Sequence, residues 1–257
     1  MKHSSFGFIF LVVSCLLLFL QGSVSAAAIA FSSSTLDWTQ FQTSVPVNYY
    51  DWYSIPVAEA ESNYYRAPQE RHDLRSWGST GALNELVNTQ GYGYTTSDVV
   101  HAQASALANG VQTYESYGSS FVERGGYFNV AEAGTINFFA PYSFHQELSL
   151  NLALDSAYDY AFVSIYFAEQ LGPTDYQYLA SKQITFDHYN TNGVWNTTGN
   201  ITLDSGVFIE PERDYYFNMV AYSAAFAQTP KLNVVPEPAT LSLLGLGLVG
   251  LVLRRKK

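Results

Sequence analysis

The chain has 257 residues, 47% hydrophobic, 16% aromatic and only 13% charged, with one cysteine and a formal net charge of -10. That length carries one large domain or two small ones with a real core, and the composition excludes a disordered polyelectrolyte. The acidic balance argues against a nucleic-acid partner, which needs clustered Lys and Arg, and a lone Cys15 excludes an internal disulfide or a multi-cysteine metal site.

The first 26 residues read as a secretory signal peptide. Lys2 and His3 give a positive start, Phe8 to Leu20 is an almost unbroken apolar run, and Val24-Ser25-Ala26 places small residues at the cleavage positions. Cleavage is expected between Ala26 and Ala27. Val12-Val13-Ser14-Cys15 has the form of a lipobox, but a cut there would leave Leu16 to Leu20 on the mature chain. The Ala26 cut is preferred, and it removes the only thiol.

Residues 27–234 are expected to form one extracytoplasmic domain. Thr35 to Phe41 reads as a first strand, with Leu36, Trp38 and Gln40 on one face. Residues 43–93 read as a loop-rich insertion, because Pro46, Pro56 and Pro68 interrupt them, with one short helix near Gly81 to Asn88. From Val100 to Ala108 alanine favours helix, but Val100, Ala102, Ala104, Ala106 and Ala108 alternate, and strand is preferred. Alternation continues at Thr135–Ala140, Phe144–Leu154, Tyr160–Ala168, Tyr178–Phe186, Gly199–Leu203 and Tyr215–Tyr222. Leu171-Gly172-Pro173, Thr191-Asn192-Gly193 and Ile209-Glu210-Pro211 supply the turns. These short strands predict an all-β fold, an antiparallel jelly-roll-like β-sandwich.

Candidate chemistry is sparse. Glu70-Arg71-His72-Asp73 reads as a solvated loop, and His101, His145 and His188 have no metal-ligand spacing. Glu210 and Glu212 flank a turn proline, a pair that could hydrolyse a glycoside only at a suitable separation. No nucleophile elbow is present. Asp155, Asp159, Asp187, Asn190 and Asn192 offer oxygen ligands near turns, enough for a structural calcium but in no EF-hand spacing. The expectation is therefore no catalytic residue, no resident metal site and no cofactor beyond that calcium. The two Asn-x-Thr sequons at Asn196 and Asn200 are explained by turn chemistry.

Aromatic residues are the clearer excess. Tyr49, Tyr50, Trp52 and Tyr53, with Tyr64 further on, lie in the segment read as loop, where no regular strand accounts for their burial. Tyr and Trp present flat apolar faces to sugar rings while their polar atoms stay wet, so these five are the candidate glycan-binding residues; the preferred alternative is that the rings pack this segment onto the sandwich.

The C-terminal residues 235–257 carry a second address. Pro236, Glu237 and Pro238 form an extended acidic stretch, Ala239 to Leu253 is apolar, and Arg254-Arg255-Lys256-Lys257 closes the chain. Fifteen helical residues reach about 22 Å, short of a hydrocarbon core of about 30 Å, and snorkelling Arg and Lys can cover the difference. The basic end is expected to stay cytoplasmic. Gly245-Leu246-Gly247-Leu248-Val249-Gly250 has dinucleotide-fingerprint spacing, but no following helix and acidic residue are available, and close packing in a membrane helix suits it better.

Pro-Glu-Pro, a short Gly-rich span and a basic end together resemble the PEP-CTERM sorting signal of Gram-negative bacteria. The Gly134 to Tyr142 stretch is also similar to one common in β domains of such proteins. The resemblance implies recognition at Pro236, Glu237 and Pro238, with Arg254 and Arg255, by an exosortase in the inner membrane. It further implies transfer to the cell surface or the extracellular matrix, in association with exopolysaccharide and biofilm.

Five of the twelve basic residues and one of the 22 acidic ones lie in these two ends. Seven and 21 remain, a charge of -14 on the mature domain. Such a polyanion repels acidic polysaccharide unless divalent cations bridge the two, so the expected contact with a matrix glycan is neutral-sugar stacking or metal-bridged. The expected function is a non-enzymatic matrix protein; the alternatives are a carbohydrate-binding module or a carbohydrate-active enzyme on the same scaffold.

Overall fold

The computed structural model describes residues 27–63, 89–110 and 113–230, together with the backbone of 65–70, 73–74 and 79–84. In chain order the strands are β1 (Ala28–Asp37), β2 (Gln42–Thr43), β3 (Val47–Ser62), β4 (Tyr65–Glu70), β5 (Asp73–Leu74), β6 (Ser79–Asn84) and β7 (Thr89–Thr95). They continue as β8 (Val99–Ala108), β9 (Glu115–Val130), β10 (Gly134–Leu150), β11 (Ser156–Gly172), β12 (Asp175–Tyr189), β13 (Gly193–Ile209) and β14 (Tyr215–Gln228). All pair antiparallel in two sheets. The first runs β13-β10-β1-β8-β7-β6 with β2 on β10; the second runs β12-β11-β14-β9-β3-β4 with β5 on β3. No helix occurs among the described residues, so none there is long and apolar enough to cross a membrane. The expected span at 239–253 and the cleavage residue Ala26 lie outside them; Ala27 immediately precedes β1.

The expectation for residues 43–93 is corrected. Instead of a loop-rich insertion, β3 runs for sixteen residues beside β9, and β4 to β7 follow. The prolines misled because a proline can occupy a ladder position where its missing N–H is not required. Pro56 does so opposite Val122, with its ring buried. The short helix expected near Gly81 is strand β6, paired with β7 at Gly81–Tyr92.

Two kinds of core fill the sandwich because period-2 alternation selects different residues at its two poles. At the pole where β1 ends and β14 begins, Leu36, Phe128, Ile136, Phe138, Phe167 and Phe217 are buried together. At the opposite pole Ala28, Ala30, Ala104, Ala106, Ala108, Ala157, Ala225 and Ala227 face inward. Short side chains let the sheets approach. Ser32 Oγ donates to the Tyr160 carbonyl at 3.1 Å, Ser34 Oγ to the Tyr222 carbonyl at 2.9 Å, and Ser223 Oγ to the Ala102 carbonyl at 3.1 Å, each bond joining one sheet to the other. The alternation of β8, from Val100 to Ala108, is therefore the inward face of a strand, as expected.

Candidate functional site

The aromatic run of β3 is divided by a β-bulge. Tyr50 pairs with Tyr127 and Tyr53 with Gly125, so Asp51 and Trp52 stand opposite Gly126 alone. Asp51 takes a φ of 46°, a left-handed conformation that Asp tolerates better than most residues. An extra residue restores the outward phase after Trp52. Tyr50 and Tyr53 consequently share the outer face of the second sheet, while Tyr49 and Trp52 turn to the aromatic pole. The candidates that stood together in the sequence thus serve two surfaces. Tyr64 lies outside the described residues.

On the outer face, tyrosines from five neighbouring strands form a continuous platform. Tyr50 stacks on Tyr127 at 6.1 Å between centroids, and Tyr127 on Tyr176 at 6.4 Å, with their hydroxyls 2.6 Å apart. Tyr53 lies nearly parallel to Tyr216, at 11° and 6.4 Å. Tyr166 joins Tyr216 at 6.0 Å and Tyr178 at 5.7 Å. With strands about 4.8 Å apart, five strands span about 19 Å, room for several sugar rings in a row.

Glu123 organises the centre of this platform. Its Oε1 accepts from the Tyr53 hydroxyl, from the Tyr216 hydroxyl at 3.1 Å and from Asn218 Nδ2 at 2.9 Å; the Tyr53 and Tyr216 hydroxyls also meet. Burial, and then the charge of Glu123, raises both phenols above their ordinary pKa of 10. They remain neutral donors at physiological pH. Gly125 makes room for the arrangement, since a Cβ there would stand 2.7 Å from the Tyr53 hydroxyl oxygen.

At the aromatic pole is a cavity of about 400 Å³ lined by Trp38, Phe41, Thr43, Tyr49, Trp52, Arg124 and Phe217. Arg124 is buried on the inward face of β9, its guanidinium carbon 3.4 Å from the Trp38 ring centre and 5.4 Å from that of Trp52. Its Nη1 donates to the Thr96 carbonyl at 3.2 Å. Burial lowers its pKa, and it raises that of Tyr49. Trp38 stacks in turn on Phe41 at 4.8 Å and on Phe217 at 5.8 Å.

The remaining sequence candidates do not converge. His101 Nδ1 meets Thr35 Oγ1 at 2.8 Å, His145 Nδ1 meets Asn196 Oδ1 at 2.7 Å, and His188 Nδ1 meets Asp159 Oδ1 at 3.0 Å. Glu210 pairs with Arg213 at 2.9 Å, and Arg213 also reaches Glu169 at 2.6 Å. The oxygens considered for calcium serve turns and the buried network. Asp155 Oδ2 accepts from the N–H groups of Asn151 and Leu152, Asn190 Oδ1 from Ala157, and Asn192 Oδ1 from Leu150. Asp159 is wholly buried, and Asp187 is exposed on β12. Among the described residues no three His, Cys, Asp or Glu side chains are grouped to hold a metal.

Sequence reading missed Tyr127, Tyr166, Tyr176, Tyr216, Glu123 and Asn218 on the platform, and Trp38 and Arg124 in the cavity. The available signal was phase. Tyr216 and Asn218 share one face of β14, opposite to the buried Tyr215 and Phe217, and large aromatics on an outward phase are uncommon unless they are used.

Residues 234–256 match the family model described as the PEP-CTERM protein-sorting motif. The chain carries a PEP-CTERM sorting signal. That motif marks an exported protein whose C-terminal anchor is handled by an exosortase on the way to the surface. No curated protein and no solved structure matches the chain. In this PEP-CTERM protein the sandwich ends at Pro230, at the alanine-rich pole, so a cut at Pro-Glu-Pro removes no residue of the platform or the cavity.

Proposed function

We propose that this PEP-CTERM protein is a non-enzymatic component of the cell surface or extracellular matrix that holds neutral polysaccharide on its tyrosine platform. The observation that carries the reading is the set of outward tyrosines spread over five strands around Glu123. Flat rings with wet hydroxyls stack on the apolar faces of sugars, and neutral sugars avoid the repulsion that a charge of -14 imposes on acidic ones. Glu123 already accepts three donors on one oxygen, which suits a positioning role better than proton transfer to a glycosidic oxygen.

The strand order also supports a jelly-roll scaffold. Counting from β8, the sheets run first-eighth-third-sixth and second-seventh-fourth-fifth, with β1 standing as the eighth strand. That order is the one expected of a jelly roll whose last strand is supplied from the start of the chain.

Retention on an insoluble neutral β-glucan tests the reading. The wild-type protein should be retained, and Tyr127→Ala with Tyr216→Ala should weaken retention about tenfold while the thermal transition stays cooperative. Unchanged retention in the double variant would remove the platform from the function. Release of soluble reducing ends from the glucan would establish the enzymatic alternative instead.

A further inference from the structure

We infer that Tyr127 and Tyr176 are a modification site, a pair placed to be joined as dityrosine by an oxidant outside the cell. Their strands β9 and β12 are separated by β14 and β11, about 14 Å at the backbone. The side chains reach across that gap, with Tyr216 5.5 Å from each ring, and their hydroxyl oxygens meet at 2.6 Å. The rings are 29° from parallel with centroids 6.4 Å apart. Phenols that touch at their hydroxyls also bring together the ortho carbons beside them, and phenoxyl radicals couple at those carbons. Tyr176 is 37% exposed, so rotation about its own χ angles can close the remaining gap. Burial, and then the Tyr176 hydroxyl, push the Tyr127 pKa up to about 12, so no phenolate charge drives the pair apart at physiological pH.

Other tyrosines lack one of these conditions. The Tyr53 and Tyr216 hydroxyls also meet, but they are part-buried and bound to Glu123. Tyr117 and Tyr222 meet at 3.1 Å and are likewise part-buried. Tyr178 is 58% exposed, but its hydroxyl is engaged by Ser181 and not by a phenol. Residues 27–257 contain no cysteine, so no disulfide can brace the exported domain. A link at this pair ties the long edge strand β12 to the interior of its sheet and closes a loop 49 residues apart in sequence.

The oxidant is hydrogen peroxide used by a haem peroxidase. Each phenol loses one electron and its hydroxyl proton, the two radicals form one carbon–carbon bond between ortho carbons, and the ortho hydrogens then move to the oxygens to restore both phenols. The pair loses two electrons and two protons in all, and the peroxide that takes them leaves as two waters. The inference goes beyond the polysaccharide reading and does not depend on it.

Treatment of the full-length chain with hydrogen peroxide and a haem peroxidase tests it. Dityrosine fluorescence should appear in the monomer. Digestion at glutamate separates the two tyrosines, since Glu132, Glu147 and Glu169 lie between them, and should yield their two peptides joined and lighter by two hydrogens. Tyr176→Phe and Tyr127→Phe keep the rings and should each abolish the monomer signal, while Tyr178→Phe should leave it intact. Linked protein should melt about 10 °C above untreated protein, a gain that treated Tyr176→Phe should lack. In urea the same treatment should scatter the links over many tyrosines. Dityrosine confined to covalent dimers, links spread over other tyrosines in the folded monomer, or a monomer signal that survives Tyr176→Phe would overturn the assignment.

Discussion

The phenol of Tyr53 lies across Gly125, at a position where any side chain on β9 would meet its hydroxyl at 2.7 Å. The Phe217 carbonyl oxygen is 3.0 Å away on another side, so a methyl has little room to settle. Gly125→Ala should therefore displace Tyr53 from Glu123 and Tyr216. The expected cost is about 1 to 3 kcal/mol of stability, in the range of a crowded packing site. Neutral-glucan retention should fall by more than Ala substitution of the exposed Tyr189, on the edge strand β12, produces. Denaturant unfolding and glucan retention check both effects, and a glucan affinity equal to wild type would show that Tyr53 need not be held.

The same cluster predicts an alkaline limit. Tyr53 and Tyr216 hold their protons above the ordinary value of 10, through burial first and Glu123 next. A group whose folded pKa is raised contributes stability in full below its unfolded pKa and loses it as pH rises through the folded one. The contribution of these two phenols should thus be level to about pH 9 and decline above about pH 10. Glu123→Gln removes the nearby negative charge and should move the phenolate absorbance change to lower pH. A phenolate titration identical in wild type and Glu123→Gln would show that the carboxylate is not what holds the protons.

How much of this was legible in the sequence depended on phase. In β8 and β11 the alternation from Val100 to Ala108 and from Ala161 to Phe167 marked the buried face directly, and the structure buries those residues. In β3 the same signal was broken, because the bulge at Asp51 and Trp52 shifts the phase midway. A broken alternation containing a proline is indistinguishable from a loop without the neighbouring strand. Arg124 was hidden for a different reason: a single Arg in a strand reads as outward, and only the aromatic stack on Trp38 shows why it can turn inward. Convergence of Tyr53, Glu123 and Tyr216 joins three strands far apart in the chain, which no local pattern encodes.

The sorting signal predicts a processing defect. Glu237 lies between Pro236 and Pro238, and it is the acidic group of the matched motif. Glu237→Ala should leave a precursor in the membrane fraction that retains Lys257. Intact mass of the protein from membrane and from medium decides the matter, since wild type should yield a species beginning at Ala27 and ending near Pro236 to Pro238. A variant processed like wild type would assign recognition to another part of the tail.

The last prediction concerns Asp159, buried at the alanine-rich side of the sandwich. Its Oδ1 accepts from Gln146 Nε2 at 2.7 Å, from the His188 backbone N–H at 3.1 Å and meets His188 Nδ1 at 3.0 Å, while the His188 ring stacks on Trp195 at 3.7 Å. Burial pushes its pKa from 3.8 up to about 6 against the opposing pull of His188. The contribution to stability is then complete below 3.8 and is lost as pH rises through about 6, opposite to an ordinary salt-bridged carboxylate. A shift of this size corresponds to at most about 3 kcal/mol. Asp159→Asn keeps an oxygen for Gln146 and the His188 N–H but cannot ionise. Its stability relative to wild type should therefore be about 2 kcal/mol more favourable near neutral pH than in acid. Urea unfolding of both proteins at about pH 4 and about pH 7 measures that difference, and a pH-independent gap between them would mean that Asp159 ionises as readily in the folded protein as in the unfolded chain.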